Sequence, residues 1–297
     1  MIIYILIFFL LLILLAKSFS LHSPLVIENF NSVEIYELPT IIFTYWENED
    51  ENHIVNTFLQ SWKNNIKRWE IIILNKKNIK SYVNQQFIEK YENAPPHLFS
   101  DFLRLYLLYN YGGAWFDSTS IIINDHFLDK YRNEMIQNKY DVTLYELKSK
   151  SGKYPYLENW FIMAPKGSLF IKDLYTEFSK GYIMGFIKYK RKVLNNSTIE
   201  VERTLKNRNN KYIYLMQHAI IHYLMDKGNK YNINIKDSEE SMFKAHKLND
   251  WENTKIINFI INNNNWSDFY AIKLTKNNRL GINEYNKKAL IERIIRI

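Results

Sequence analysis

The chain has 297 residues, of which 47% are hydrophobic and 16% aromatic, with 8 Gly and 6 Pro; this composition fits a globular core and excludes a disordered or low-complexity chain. Its formal net charge of +8 suits a phosphate-rich ligand or an anionic membrane surface. The basic residues are scattered among Asn, Ile and Tyr with no arginine-rich arm, so nucleic acid is not an expected partner, and the absence of cysteine excludes disulfides, a thiolate nucleophile and Cys-ligated zinc.

Met1 to Ala16 carries no charged side chain and is almost all Ile, Leu and Phe, closed by Lys17. As a helix this run would reach about 24 Å. Counted on through Phe19, with Lys17 snorkelling, it approaches the ~30 Å of a bilayer core. Residues 1–20 are therefore expected to form a single-pass membrane anchor, with the side of the membrane undetermined. A signal peptide is the rival, but the run has no basic n-region and no clear small-x-small cleavage site. A core helix apolar all round would need protein on every side. Residues 21–39 read as a stem and residues 40–297 as one catalytic-type domain.

In that domain Thr40 to Trp46 is a continuous apolar run of strand length, followed by the acidic cluster Glu47 to Glu51. Ile54, Phe58, Leu59 and Trp62 fall at helical spacing, and Ile71 to Leu74 is a second strand of buried type. Strand, helix, strand with unbroken apolar runs predicts an α/β fold built on a mainly parallel sheet flanked by helices. Helices are expected at Phe87–Tyr91 and Leu98–Tyr109, and strands at Ala114–Asp117, Val142–Tyr145 and Trp160–Met163. Beyond Ser168 the pattern turns helical, at Leu169–Phe178, Tyr182–Tyr189 and Tyr212–Met225. The polar stretch Leu194–Asn210, with sequons at Asn195 and Asn196, reads as an exposed loop.

The densest chemistry lies in SDFLRLYLLYNYGGAWFDST, from Ser100 to Thr119. Asp101 and Arg104 stand at i and i+3 and share a helix face. Their neighbours Phe99, Phe102, Leu103, Leu105 and Leu108 make that helix apolar around most of its circumference. A charged pair there is costly unless it is paired or bound to something, which favours a ligand-facing pair over a solvated surface one. Gly112 and Gly113 end the helix and allow a sharp turn into a strand. Asp117 then sits at the strand's C-terminal end, where ligands bind in open α/β sheets; capping the next turn through Ser118 or Thr119 is the alternative.

Ser100-Asp101-x-x-Arg104, then Leu107, then Tyr111-Gly112-Gly113-x-Trp115-x-Asp117 resembles glycosyltransferases of the GT-A type, a Rossmann-like fold. The nearest likeness is to the capsular polysaccharide synthesis group, related to the DxD sugar transferases and the clostridial glucosylating toxins. Weaker similarity spans residues 40 to 275, including Tyr45-Trp46, Ser61-Trp62, Asn159 to Ile162, Tyr214 to His218 and Lys273-Leu274. The resemblance implies a nucleotide-diphosphate sugar donor, a UDP-sugar, a glycan or glycoconjugate acceptor, and a divalent cation, Mn²⁺ or Mg²⁺. It places Asp117 at the first Asp of DxD, Asp101 and Arg104 on the donor sugar hydroxyls, and Trp46 on the base.

One departure from the DxD pattern bears on the metal. The second Asp, usually the direct ligand, is Thr119 here, and a neutral hydroxyl is a poor substitute for a carboxylate around such ions. The expected metal set is then Asp117 and Thr119, helped by the diphosphate and by a late residue such as His218, although His218 reads more readily as a polar group on an amphipathic helix. Lys273 either reaches the diphosphate or is solvated. If the reaction inverts the anomeric centre, a carboxylate must activate the acceptor, and Glu146 and Glu158 are the candidates. A membrane-tethered glycan-binding protein on a degenerate transferase fold is the competing reading.

Overall fold

The computed structural model describes residues 36–47, 54–193, 214–228 and 230–297. The expected anchor at 1–20, most of the stem, most of the acidic run and the sequons at Asn195 and Asn196 lie outside the described residues. Among the described residues no helix is long and apolar enough to cross a membrane.

The strands are β1 (Ile41–Tyr45), β2 (Glu70–Leu74), β3 (Gly113–Phe116), β4 (Ser120–Ile122), β5 (Val142–Glu146), β6 (Leu157–Ala164), β7 (Ile233–Asp237) and β8 (Ala271–Lys273). The helices are α1 (Ile54–Asn65), α2 (Gln85–Tyr91), α3 (Pro96–Tyr111), α4 (His126–Asn138), α5 (Leu169–Met184), α6 (Phe186–Lys192), α7 (Met216–Asp226), α8 (Lys244–Leu248), α9 (Asn253–Asn262), α10 (Lys276–Leu280) and α11 (Glu284–Arg296). Six strands form one sheet in the order β2-β1-β3-β6-β5-β7, and β4 pairs with β8.

The mainly parallel sheet is observed, with one reversal. β1 pairs in parallel with β2 and β3, and β5 with β7, whereas β6 runs antiparallel to both β3 and β5. Successive side chains point to opposite faces of a strand, so neighbours in sequence enter different layers. Phe43, Tyr45 and Trp115 pack into one core with Phe99, Phe102 and Ile220. Ile42, Ala114 and Phe116 pack into the other with Phe58, Trp62, Phe127 and Ile257. Helices thus cover both faces, which explains why the strands read as unbroken apolar runs.

Two junctions position the site. α3 stops at Gly112 (φ 73°) and the chain turns through Gly113 (φ 96°) directly into β3. A Cβ at Gly113 would lie 2.5 Å from the Ile41 carbonyl oxygen, so only glycine lets β3 lie against β1 there. Past β3, the segment from Asp117 to Ile122 is tied down from two sides. The Trp62 Nε1 donates to the Ser120 carbonyl (2.7 Å) and the Asn65 Nδ2 to the Ile122 carbonyl (2.8 Å). β8 pairs with β4 on the other edge, with Ser120 opposite Lys273.

The helical region after Ser168 differs in detail from the sequence-based expectation. α5 continues to Met184, and Gly185 (φ 82°) separates it from α6. Substituting Gly113→Ala is expected to lower stability by about 3 kcal/mol through the clash with Ile41 and the positive φ. Urea unfolding measures this, and an unchanged midpoint would contradict the account of the junction.

Candidate functional site

α3 begins with Pro96 at its first turn and carries Asp101 and Arg104 on the face that looks across to the end of β3. Both side chains are buried. The Arg104 guanidinium lies 3.1 Å from the Asp101 carboxylate and 3.4 Å from that of Asp117. It also donates to the Asn159 carbonyl on β6 and stands 5.1 Å over the Trp115 ring. Trp115 Nε1 donates to Asp117 Oδ1 (3.0 Å). One arginine therefore joins two carboxylates from α3 and β3, and each contact fixes the guanidinium plane further.

A second set of contacts holds Asp101 from behind. The Asn159 Nδ2 lies 3.3 Å from Asp101 Oδ1 and donates to Gln217 Oε1 (2.7 Å). The Gln217 Nε2 in turn donates to the Asp101 backbone carbonyl (2.9 Å). Helix α7 is thereby tied to α3 through an amide pair whose donors and acceptors match.

Asp101, Arg104, Asp117 and Asn159 line a cavity of about 580 Å³ whose wall also includes Trp46, Glu158, His218, Trp251, Lys276 and Arg279. Asp117 keeps 28% of its side chain exposed there, whereas Asp101 keeps 10%. On the far side of Asp117, the β4–β8 pairing delivers Lys273. Its buried Nζ stands 3.5 Å from Asp117 Oδ2 and donates to Thr119 Oγ1 and the Leu274 carbonyl. Burial lowers the Lys273 pKa, opposed by the charge of Asp117. Arg279 is likewise depressed by burial, and its Nε is buried without a hydrogen-bond partner.

Of the residues expected at the site from sequence, Trp46, Asp101, Arg104, Asp117, Thr119, Glu158, His218 and Lys273 line this one cavity, and Glu146 does not. The residues expected to hold a metal make other contacts here. Thr119 and Asp117 are bridged by the Lys273 ammonium, and His218 Nε2 instead faces Glu158 at 3.5 Å. Among the described residues no group of three His, Asp or Glu side chains could hold a metal ion.

Sequence reasoning did not assign roles to Asn159, Gln217, Lys276, Arg279 or Trp251. Asn159 and Gln217 fall inside the segments that carried the weaker resemblance, which was the available signal. Lys276 and Arg279 sit in a short polar helix with nothing local to mark it.

The chain matches the model of the family described as "Capsular polysaccharide synthesis protein" over residues 20–256. No curated protein matches it. Among solved structures it is similar to the glycosyltransferase GlyE of Streptococcus pneumoniae TIGR4, at 8% identity and a TM-score of 0.45, covering 87% of this chain and 61% of that one. The chain thus spans less than two thirds of GlyE's length. It is also similar to a glycosyltransferase involved in the glycosylation of the major capsid of PBCV-1 (10% identity, TM-score 0.33, 86% and 100% of the two chains). A third is the PaToxG glycosyltransferase (12% identity, TM-score 0.34, 65% and 80%). Likenesses at these TM-scores decide nothing about function.

Burial raises the Asp101 pKa from the ordinary 3.8 to about 6, with Arg104 opposing and Asp117 adding to the rise. The native state thus binds this proton more tightly than the unfolded chain, so stability falls as pH climbs through the interval from about 4 to about 6. Asp101→Asn removes that titration. Relative to the variant, the wild type is expected to lose about 3 kcal/mol across the interval, measured by urea unfolding at successive pH values. Parallel stability profiles would contradict the assignment.

Proposed function

The chain belongs to the capsular polysaccharide synthesis protein family, and we propose that it is a glycosyltransferase moving a sugar from a nucleotide diphosphate donor, a UDP-sugar, to a hydroxyl of a glycan or glycoconjugate. The observation that carries this reading is the division of charge within one cavity. Arg104 bridges the Asp101 and Asp117 carboxylates, Lys273 meets the other oxygen of Asp117, and Lys276 and Arg279 line the same cavity. A sugar attached to a diphosphate has that same division, with neutral hydroxyls on one end and concentrated negative charge on the other.

In this reading Asp101 and Asp117 accept hydrogen bonds from sugar hydroxyls, while Arg104 keeps both carboxylates in register. Lys273 and Arg279 meet the diphosphate. As the glycosidic bond breaks, negative charge grows on the leaving phosphate oxygen, and pre-placed cations in a partly desolvated cavity stabilise it without reorganising. Trp46, one residue past β1, offers its indole face to the base. No step is assigned to a metal.

The two candidate bases separate by position. Glu158 lines the cavity beside His218, and Glu146 does not. For an inverting reaction Glu158 is the group able to take the acceptor proton; a retaining one needs no dedicated base.

Donor hydrolysis by the full chain, with UDP-glucose, UDP-galactose, UDP-N-acetylglucosamine and GDP-mannose, each with Mn²⁺, Mg²⁺ or EDTA, tests the proposal. Turnover with one of these donors is expected to drop at least about 100-fold in Asp117→Asn, a loss typical of removing a group that acts on the transition state. Failure of the folded protein to bind or turn over any donor would favour the degenerate glycan-binding reading instead. Trp46→Ala is expected to raise the donor KM about tenfold with little change in kcat, as loss of uniform binding does; an unchanged KM would remove Trp46 from the base site.

A further inference from the structure

The α5–α6 corner is built tightly yet leaves apolar surface outside. Gly185 takes a positive φ of 82° to turn the chain, and a Cβ at Gly181 would meet the Phe186 ring at 2.9 Å. With both glycines in place, Phe186 and Tyr189 bury themselves, and the Tyr189 hydroxyl donates to Glu177 at 2.6 Å. Ile183 and Ile187, four residues apart across this corner, stay 71% and 56% exposed. Single exposed isoleucines are ordinary on a protein surface. Two on one pinned corner, each within a shallow depression edged by lysines or arginine, are less so.

Their setting is strongly basic. From Lys180 to Lys192 the chain carries Lys180, Lys188, Lys190, Arg191 and Lys192 and no Asp or Glu. Lys180 is paired with Glu177. Among the described residues Lys188, Arg191 and Lys192 make no ion pair.

We propose that this corner docks on an anionic lipid bilayer surface, with Ile183 and Ile187 entering the headgroup boundary and Lys188, Arg191 and Lys192 meeting lipid phosphates. The combination selects the occupant: cations alone would suit any polyanion, but a nucleic acid or an acidic polysaccharide would leave both isoleucines in water. Long basic stems beside apolar residues snorkel naturally at a membrane interface. α5 also packs on α3, with Phe178 4.5 Å and Tyr182 5.2 Å from Phe102 between ring centroids. Phe102 directly follows Asp101, so the docked corner is tied to the helix that carries the site.

The chain lacks cysteine, so Ile187→Cys accepts one polarity-sensitive fluorophore at a unique position. The readout is local, and therefore independent of how residues 1–16 partition. With the full labelled chain on vesicles of phosphatidylglycerol and phosphatidylcholine, the label is expected to enter an apolar environment and to leave it at high salt. On phosphatidylcholine alone it stays in water. Adding Lys188→Glu, Arg191→Glu and Lys192→Glu together is expected to weaken immersion at least about 100-fold, at roughly fivefold per cation, with the melting temperature unchanged. A label that stays in water on both vesicles, that immerses equally in both, or that ignores the charge reversal would overturn the proposal.

Discussion

The site depends on a buried guanidinium that two carboxylates share. A guanidinium is a permanent cation in proteins, so burying one at Arg104 fixes a positive charge where hydration is poor, and that charge must be met. Asp101, Asp117 and the Asn159 carbonyl meet it from three elements, α3, the end of β3 and β6. Removing one partner of such a buried set commonly costs about 3–5 kcal/mol, because the remaining charge is left uncompensated. The energetic demand is also a geometric one: the helix, the parallel strand and the reversed strand must arrive together for the arginine to be satisfied.

Several features of the fold follow from that requirement. Gly112 and Gly113 allow α3 to hand over to β3 within a few residues, so Asp101 and Asp117 end close together despite lying on different elements. The reversal of β6 brings Asn159 against Arg104, and Asp117 N–H donates to the Trp160 carbonyl on the same strand at 2.8 Å. The β4–β8 pair then carries Lys273 across 150-odd residues of sequence to the other side of Asp117. A carboxylate cluster that would otherwise repel an anionic donor is thus flanked by buried positive charge.

The sequence made much of this legible, but unevenly. Asp101, Arg104 and Asp117 could be read because the i, i+3 pairing and the helix-to-strand turn are local, and because a charged pair in an apolar helix calls for a partner. The strands of the sheet could be read because both faces are buried. The direction of β6 could not, since an unbroken apolar run reports burial without direction. β7, a short strand at the sheet edge with Asn234 and Lys236 among its residues, has too little periodicity to stand out. Lys276 and Arg279 gain meaning only through tertiary closure. The same is true of the contacts that Thr119 makes with Lys273 and His218 with Glu158.

The central claim is that one cavity holds a sugar at Asp101, Arg104 and Asp117 and its diphosphate at Lys273 and Arg279. A crystal structure of the full chain with an unhydrolysed nucleotide sugar tests it directly. The account predicts sugar hydroxyls within hydrogen-bond distance of the Asp101 and Asp117 carboxylates, and phosphate oxygens against the Lys273 ammonium and the Arg279 guanidinium. A nucleotide sugar bound elsewhere, or bound here with its phosphates at the Arg104 end, would contradict it.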